Sequence, residues 1–242
     1  MNTVVLEENI LFLDIETVPQ YPEFEQVSDE MKYFWEKKAQ KINSEKDSNP
    51  AKIYERAGIY AEFGKIVCIS VGFINNDTLR LKSFYGDDEI LILEEFKSLV
   101  VKSYSALDKY LCAHNGKEFD FPYIARRMLI NGISLPPALN LTGKKPWEIK
   151  HLDTMDMWRF GDYKNYTSLA LLTQIFSIPS PKDDIDGSMV GKVYWQDKDC
   201  KRIAKYCEKD VIAIAQLYRK FLCKPLLADD KILSLSDFDK NQ

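Results

Sequence analysis

Histidine is almost missing from this 242-residue chain, which carries only His114 and His151, and its five cysteines form no C-x-x-C pair. The odd cysteine count, with Cys68 and Cys112 inside apolar runs, fits reduced core thiols and supports neither a disulfide framework nor a zinc site. Excess positive charge is missing too: 33 Lys and Arg against 37 Asp and Glu leave a formal net charge of -4. That argues against a surface basic all over, as a passive nucleic-acid coat would have, but not against a local basic groove. No apolar run approaches the roughly 20 residues that span a bilayer. "MNTVVLEENI" has neither a basic start nor a long hydrophobic stretch ending in a cleavage site, so a cytoplasmic protein with no membrane partner is expected. No internal repeat or hinge-like composition marks a second domain, and one domain over residues 1–242 is expected. What is present is 45% hydrophobic residues with 12% aromatics, enough for a sizeable core and incompatible with a disordered or fibrous chain.

The run Ile10 to Ile15 predicts a buried strand that stops at the turn region "TVPQYP". Residues 21–60 shift toward Glu, Lys, Gln and Asn, and "DEMKYFWEKKAQKI" places Met31, Phe34, Trp35 and Ala39 at helical spacing. A helical insertion with a mobile loop at "NSEKDSNP" is expected. "GKIVCISVGFIN" and "TLRLKSFYG" predict two strands joined at a short polar turn, making a meander with the first. Helices follow at "DDEILILEEFKSLV", "FDFPYIARRMLINGI", "TSLALLTQIFSI" and "DKDCKRIAKYCEKDVIAIAQLYRKFL", with a short strand "YLCAHNG" and a strand and turn in "HLDTMDMWRFG". A tail from about residue 225 to 242 is expected to fray. The order predicts an α/β fold, a mixed sheet flanked by helices, with the helical insertion after the first strand.

Three short motifs carry chemistry. In "LFLDIETVPQ", Asp14 and Glu16 are two apart on a strand and so point the same way, opposite Leu13 and Ile15. Like charges held so close are stable when a divalent cation neutralises them, although a lone D-x-E is more often two solvated acids. In "HNGKEFDFP", Asp120 stands at a helix start, where backbone N–H groups favour an anion, whether as a cap or a ligand. In "KYCEKDVIAIA", Tyr206 and Asp210 are one helical turn apart, in line with the core-directed Ile203 and Ile214. Each alone has a plain structural reading.

Together, in the order D-x-E, N-x-x-x-F-D and Y-x-x-x-D on the expected elements, they closely resemble the DEDD superfamily of 3′–5′ exonucleases with the ribonuclease H-like fold, over residues 9 to 222. The insertion, the "FGKIVCISVGF" strand and "DIDGSMV" look like bacterial stand-alone proteins related to the proofreading domain of family-B DNA polymerases. The resemblance implies that Asp14, Glu16, Asp120 and Asp210 ligate two divalent metal ions, Mg²⁺ or Mn²⁺, and that Tyr206 positions the attacking water. The superfamily's other branch has a histidine five residues before the last aspartate; Lys205 stands there, which puts this chain in the tyrosine branch. Paired ions about 4 Å apart activate a water and neutralise a phosphodiester, and hard carboxylate oxygens suit them. Tyr206, protonated near neutral pH, would orient the water through its hydroxyl rather than act as a base.

The same resemblance places Thr17, Asn115 and Phe119 beside the substrate, though Phe119 also reads as core and Asn115 as a turn residue. Lys117, Arg126, Arg127, Lys144, Lys145 and Lys150 with Trp147 form a candidate phosphate-tracking rim or an ordinary solvated surface. Asp153 and Asp156 are expected to be structural, with support of the metal ligands as the alternative. The expected partner is a single-stranded 3′ end, DNA more than RNA, with a polymerase or repair protein in trans and a homodimer also open. The competing readings are a catalytically weak module binding nucleic-acid ends or a protein, and an RNA-trimming enzyme.

Overall fold

The apolar run that opens at Ile10 does not stop at Ile15. In the computed structural model, which describes residues 5–42, 49–162, 164–179 and 185–236, strand β1 runs Ile10–Pro19. Asp14 and Glu16 therefore sit within the strand rather than at its end. β1 stays extended because β2 (Gly64–Asn75) pairs with it antiparallel as far as Pro19↔Gly64. A proline is tolerated there because it closes the ladder. β3 (Thr78–Tyr85) returns from β2 through Asn76 and Asp77, both at positive φ, the backbone that tight hairpins require.

Three parallel strands complete a six-stranded sheet. β4 (Tyr110–Ala113) pairs with β1, β5 (Leu152–Asp153) with β4, and β6 (Ile232–Ser234) with β3, in the order β5-β4-β1-β2-β3-β6. As far as residue 236 the last pairing corrects the expectation of a frayed tail, whose remainder, residues 237–242, lies outside the described residues. The outer edge of β3 would otherwise present unpaired backbone groups, and β6 covers it. Glu208 fixes that segment by accepting the hydroxyls of Ser83 (3.0 Å), Ser234 (3.1 Å) and Ser236.

Alternation along β1 divides the core. Leu11, Leu13 and Ile15 face α2 (Glu89–Ser103) and α3 (Asp120–Ile130), packing with Leu93, Phe96, Phe121 and Ile124. Ile10 and Phe12 face the opposite side, against Val211 and Ile214. Those two residues belong to the long final helix, reached after α4 (Thr154–Arg159), α5 (Leu169–Ile175), α6 (Val190–Lys192) and a π turn at Val193–Asp197. That helix is α7 (Cys200–Phe221), capped by Asp199. It lies close to the sheet because a Cβ at Gly72 would stand 2.8 Å from Cγ1 of Val211. Where the expected strand and turn were read in "HLDTMDMWRFG", the turn is the helix α4, capped by the Asp153 side chain.

The insertion builds a small core of its own. On α1 (Asp29–Ile42) the inward stripe is Met31, Trp35, Ala39 and Ile42, packed with Val27, Tyr54 and Ala57. Trp35 is fully buried and its indole donates to the Pro50 carbonyl at 2.9 Å. Phe34, expected on this stripe, lies off it by one residue and is 55% exposed. Most of the expected mobile loop, residues 43–48, lies outside the described residues.

Candidate active site

Asp14 and Glu16 share the α7 face of β1 because even-numbered positions point that way. Facing them, α7 presents Tyr206, Cys207 and Asp210 along one stripe. Carboxylate oxygens of Asp14 and Glu16 and the Cys207 sulfur lie within 4.8 Å of one another. Cys207 donates to the Asp14 carboxylate and to its backbone carbonyl, both at 3.3 Å. Tyr206 donates its hydroxyl to Asp210.

Asp120 arrives from the other side of β1. The β1–β4 pairing ends at Phe12↔Cys112, so the edge of β1 beyond it is free, and the Asp120 carboxylate accepts from the N–H of Ile15 as well as from its own. This places the first residue of α3 beside the acids. A local scaffold sets the approach: Asp153 accepts from the backbone N–H of Asn115 (2.9 Å) and Lys117 (3.0 Å) while capping α4.

The electrostatics are those of a crowded carboxylate cluster. Burial, then the charges of Asp210, Glu16 and Asp120, holds Asp14 well above the usual carboxylate range, with the Cys207 bond opposing the shift. Glu16 is raised by burial first and then by Asp210, Cys68 and Asp120. Asp120 is pushed up to about 8 by burial, with Asp153 and Asp210 adding to the shift and two backbone N–H groups resisting it. The Tyr206 hydroxyl is raised by burial and by Asp210, Glu16 and Asp14, so it stays protonated. Burial likewise raises the Cys207 thiol, which donates to Asp14, and its soft sulfur suits a hard divalent cation less well than the carboxylate oxygens beside it. Converging hard oxygens that repel one another fit a hard divalent cation.

The remaining expected residues divide. Thr17 donates to the Tyr123 hydroxyl, which donates to the Gly58 carbonyl at 2.7 Å, tying β1 to the end of the insertion. From Thr17 and Pro19 opens a cleft of about 960 Å³, walled by Tyr54, Arg56 and Ile59 of the insertion and by Ser188, Lys192 and Trp195. Phe119 is half-buried, 5.4 Å ring to ring from Tyr123, and Asn115 takes a left-handed backbone (φ 61°) that turns the chain toward α3. The basic rim is broken up. Arg127 is buried in an ion pair with Glu89 at 2.6 Å, and Lys117 pairs with Asp156 at 3.2 Å. Lys145 lies over the exposed Trp147 ring. Cys207 is the site residue that sequence reasoning missed; its place between Ile203 and Ile214 on the buried stripe of α7 was the available signal.

A mixed sheet flanked by helices, with an acidic cluster where β1 meets α7 and the start of α3, is an α/β domain of the ribonuclease H-like kind. The fold is similar to that of the family B DNA polymerase from the hyperthermophilic archaeon Pyrobaculum calidifontis, with a TM-score of 0.55 and 15% identity. The match covers 88% of this chain and 24% of that polymerase chain, and at this identity it concerns the fold alone. The chain belongs to the family of predicted 3′–5′ exonucleases related to the exonuclease domain of PolB, which matches residues 59–229. Among the described residues, no helix is long and apolar enough to cross a membrane.

Proposed function

We propose that this chain is a metal-dependent 3′–5′ exonuclease of the tyrosine branch, acting on single-stranded nucleic acid, DNA in preference to RNA, and releasing nucleoside 5′-monophosphates. The observation that carries the reading is the convergence of four carboxylates, Glu16 and Asp120 buried and Asp14 and Asp210 half-buried, close enough for their charges to act on one another. These four acids would hold two divalent cations, Mg²⁺ or Mn²⁺, which when bound supply charge neutralisation of the phosphodiester and a water of lowered pKa.

The protein's own groups supply position. Tyr206 turns a hydroxyl, protonated and aimed by Asp210, toward the attacking water. Cys207 restrains the Asp14 carboxylate, and the N–H of Ile15 restrains that of Asp120. The terminal nucleotide enters beside Thr17, where the cleft opens. Asn115 and Phe119, on the loop before α3 and outside the cleft's lining, would contact that nucleotide from the side of Asp120.

The preference for DNA rests on the family's relation to a DNA polymerase domain. The test is digestion of matched 5′-labelled DNA and RNA strands with Mn²⁺ and Mg²⁺. Stepwise shortening from the 3′ end, faster on DNA, is expected. Endonucleolytic fragments or metal-independent cleavage would contradict the proposal.

A further inference from the structure

Phe160 ends α4 in the left-handed conformation (φ 45°, ψ 34°) with 89% of its surface exposed. A bulky residue at positive φ is strained, and a helix end normally gives that position to glycine. Gly161 is the next residue, yet the phenylalanine occupies it. Folding gains nothing from an exposed ring held at a cost, so its use lies outside the fold.

A second exposed aromatic, six residues further on, is fixed in place. Tyr166 is 62% exposed, with its ring 4.6 Å from the Arg159 guanidinium and its hydroxyl donating to Glu118 at 3.2 Å. Arg159, itself buried, spans Glu118 (3.4 Å) and Asp156 (3.0 Å). Glu118 is two residues before Asp120. The carbonyl of Thr167 accepts from His114, on the same loop, at 2.9 Å. Tyr166 is thus tied to the loop that delivers Asp120 to the acids, and Phe160 directly follows Arg159, whose guanidinium reaches Glu118 on the same loop. The charges here cancel pairwise, Arg159 against Glu118 and Asp156, and Lys117 against Asp156. The patch therefore offers flat apolar faces rather than phosphate capture.

We infer that Phe160 and Tyr166 form a stacking platform for the bases of a single strand upstream of its 3′ end, an inference that rests on the exonuclease reading of the adjacent acids. Aromatic stacking accepts any base, because each has a π face, and does not depend on the sugar. Stacking also owes nothing to counterion release, so the platform's share of affinity is insensitive to salt.

The test uses the full chain in EDTA, where no turnover occurs, with a fluorescein-labelled twelve-residue oligothymidylate and an abasic strand of equal length. Phe160→Gly relieves the backbone and is expected to raise Tm while weakening oligothymidylate binding about 5- to 50-fold, by the same factor at low and high salt. Tyr166→Ala should weaken it similarly. Neither variant should change affinity for the abasic strand, and Phe160→Gly should leave Mn²⁺-dependent hydrolysis of the p-nitrophenyl ester of thymidine 5′-monophosphate unchanged. Unchanged oligothymidylate affinity in both variants, or equal loss on the abasic strand, would overturn the inference. A wild type inactive on strand and ester whose binding still falls in Phe160→Gly would overturn the exonuclease reading and uphold the platform.

Discussion

Replacing Asp120 with asparagine should stabilise the metal-free protein while removing its activity. In the fold Asp120 holds its proton up to about 8, against 3.8 in an unconstrained chain. A carboxyl raised in this way is protonated in the folded state and ionised in the unfolded one across pH 4 to 8. Folding therefore takes up a proton, and stability falls as pH rises through that window. Four units at about 1.4 kcal/mol each give an upper figure of about 6 kcal/mol at pH 8. Relaxation and water entry reduce it, and about 2–3 kcal/mol is the expected net gain for an asparagine that still accepts from the Ile15 N–H. For a chain of this size that corresponds to a Tm rise of roughly 5–10 °C. Scanning calorimetry at pH 8 and pH 5 in EDTA measures it. The gap between variant and wild type should be wide at pH 8 and shrink to roughly a third of that at pH 5, and saturating Mn²⁺ should raise the wild-type Tm more than the variant's. A variant melting at or below wild type at pH 8 would refute the argument that burial and like charge load this site.

Tyr206→Phe keeps the ring and loses the hydroxyl bound to Asp210, so kcat should fall by about 10- to 1,000-fold with Tm unchanged, measured by single-turnover kinetics; full kcat would remove the water-orienting role. His151, buried and pushed down to about 4, accepts from the Leu111 N–H at 3.2 Å and donates to the Ala138 carbonyl at 2.6 Å, so it is neutral in the fold. Its contribution is complete above about pH 6.5 and is lost as pH falls toward 4, about 3 kcal/mol in all. Urea unfolding of His151→Gln should show that much less acid destabilisation between pH 7 and 4. Gly64→Ala would drive a Cβ to within 2.8 Å of the Gly58 carbonyl and 2.9 Å of the Val18 carbonyl, besides meeting the Tyr123 hydroxyl. Backbone cannot yield there, and a loss of about 1–3 kcal/mol is expected by the same unfolding assay.

The sheet's central meander and its main helices were legible because their signals are local. Period-2 runs mark β2 and β3, Asp88 and Ser168 cap α2 and α5, and Asp199 caps α7. The acids were legible through order and spacing. Features set by distant pairing were not: β1 runs on to Pro19 because β2 carries it, and β6 exists because the edge of β3 is open. Phe34 misled because an aromatic one position off a helical stripe looks the same in a short window. Arg127 read as a surface cation, and only the fold brings Glu89 to it. Cys207 carried a core signature, and its contact with Asp14 depends on how closely α7 approaches the sheet, as at Gly72 of the neighbouring β2.

Asp14, Glu16, Asp120 and Asp210 are proposed to act together as one metal-dependent catalytic site. Its most direct test is the Mn²⁺-dependent shortening of a 5′-labelled single strand by purified wild type and by Asp14→Ala and Asp210→Asn, with products resolved by length and by nucleotide chromatography. The expected result is a one-nucleotide ladder with release of 5′-monophosphates by wild type, lost in EDTA and lost in both folded variants. Undiminished shortening by either variant would contradict it.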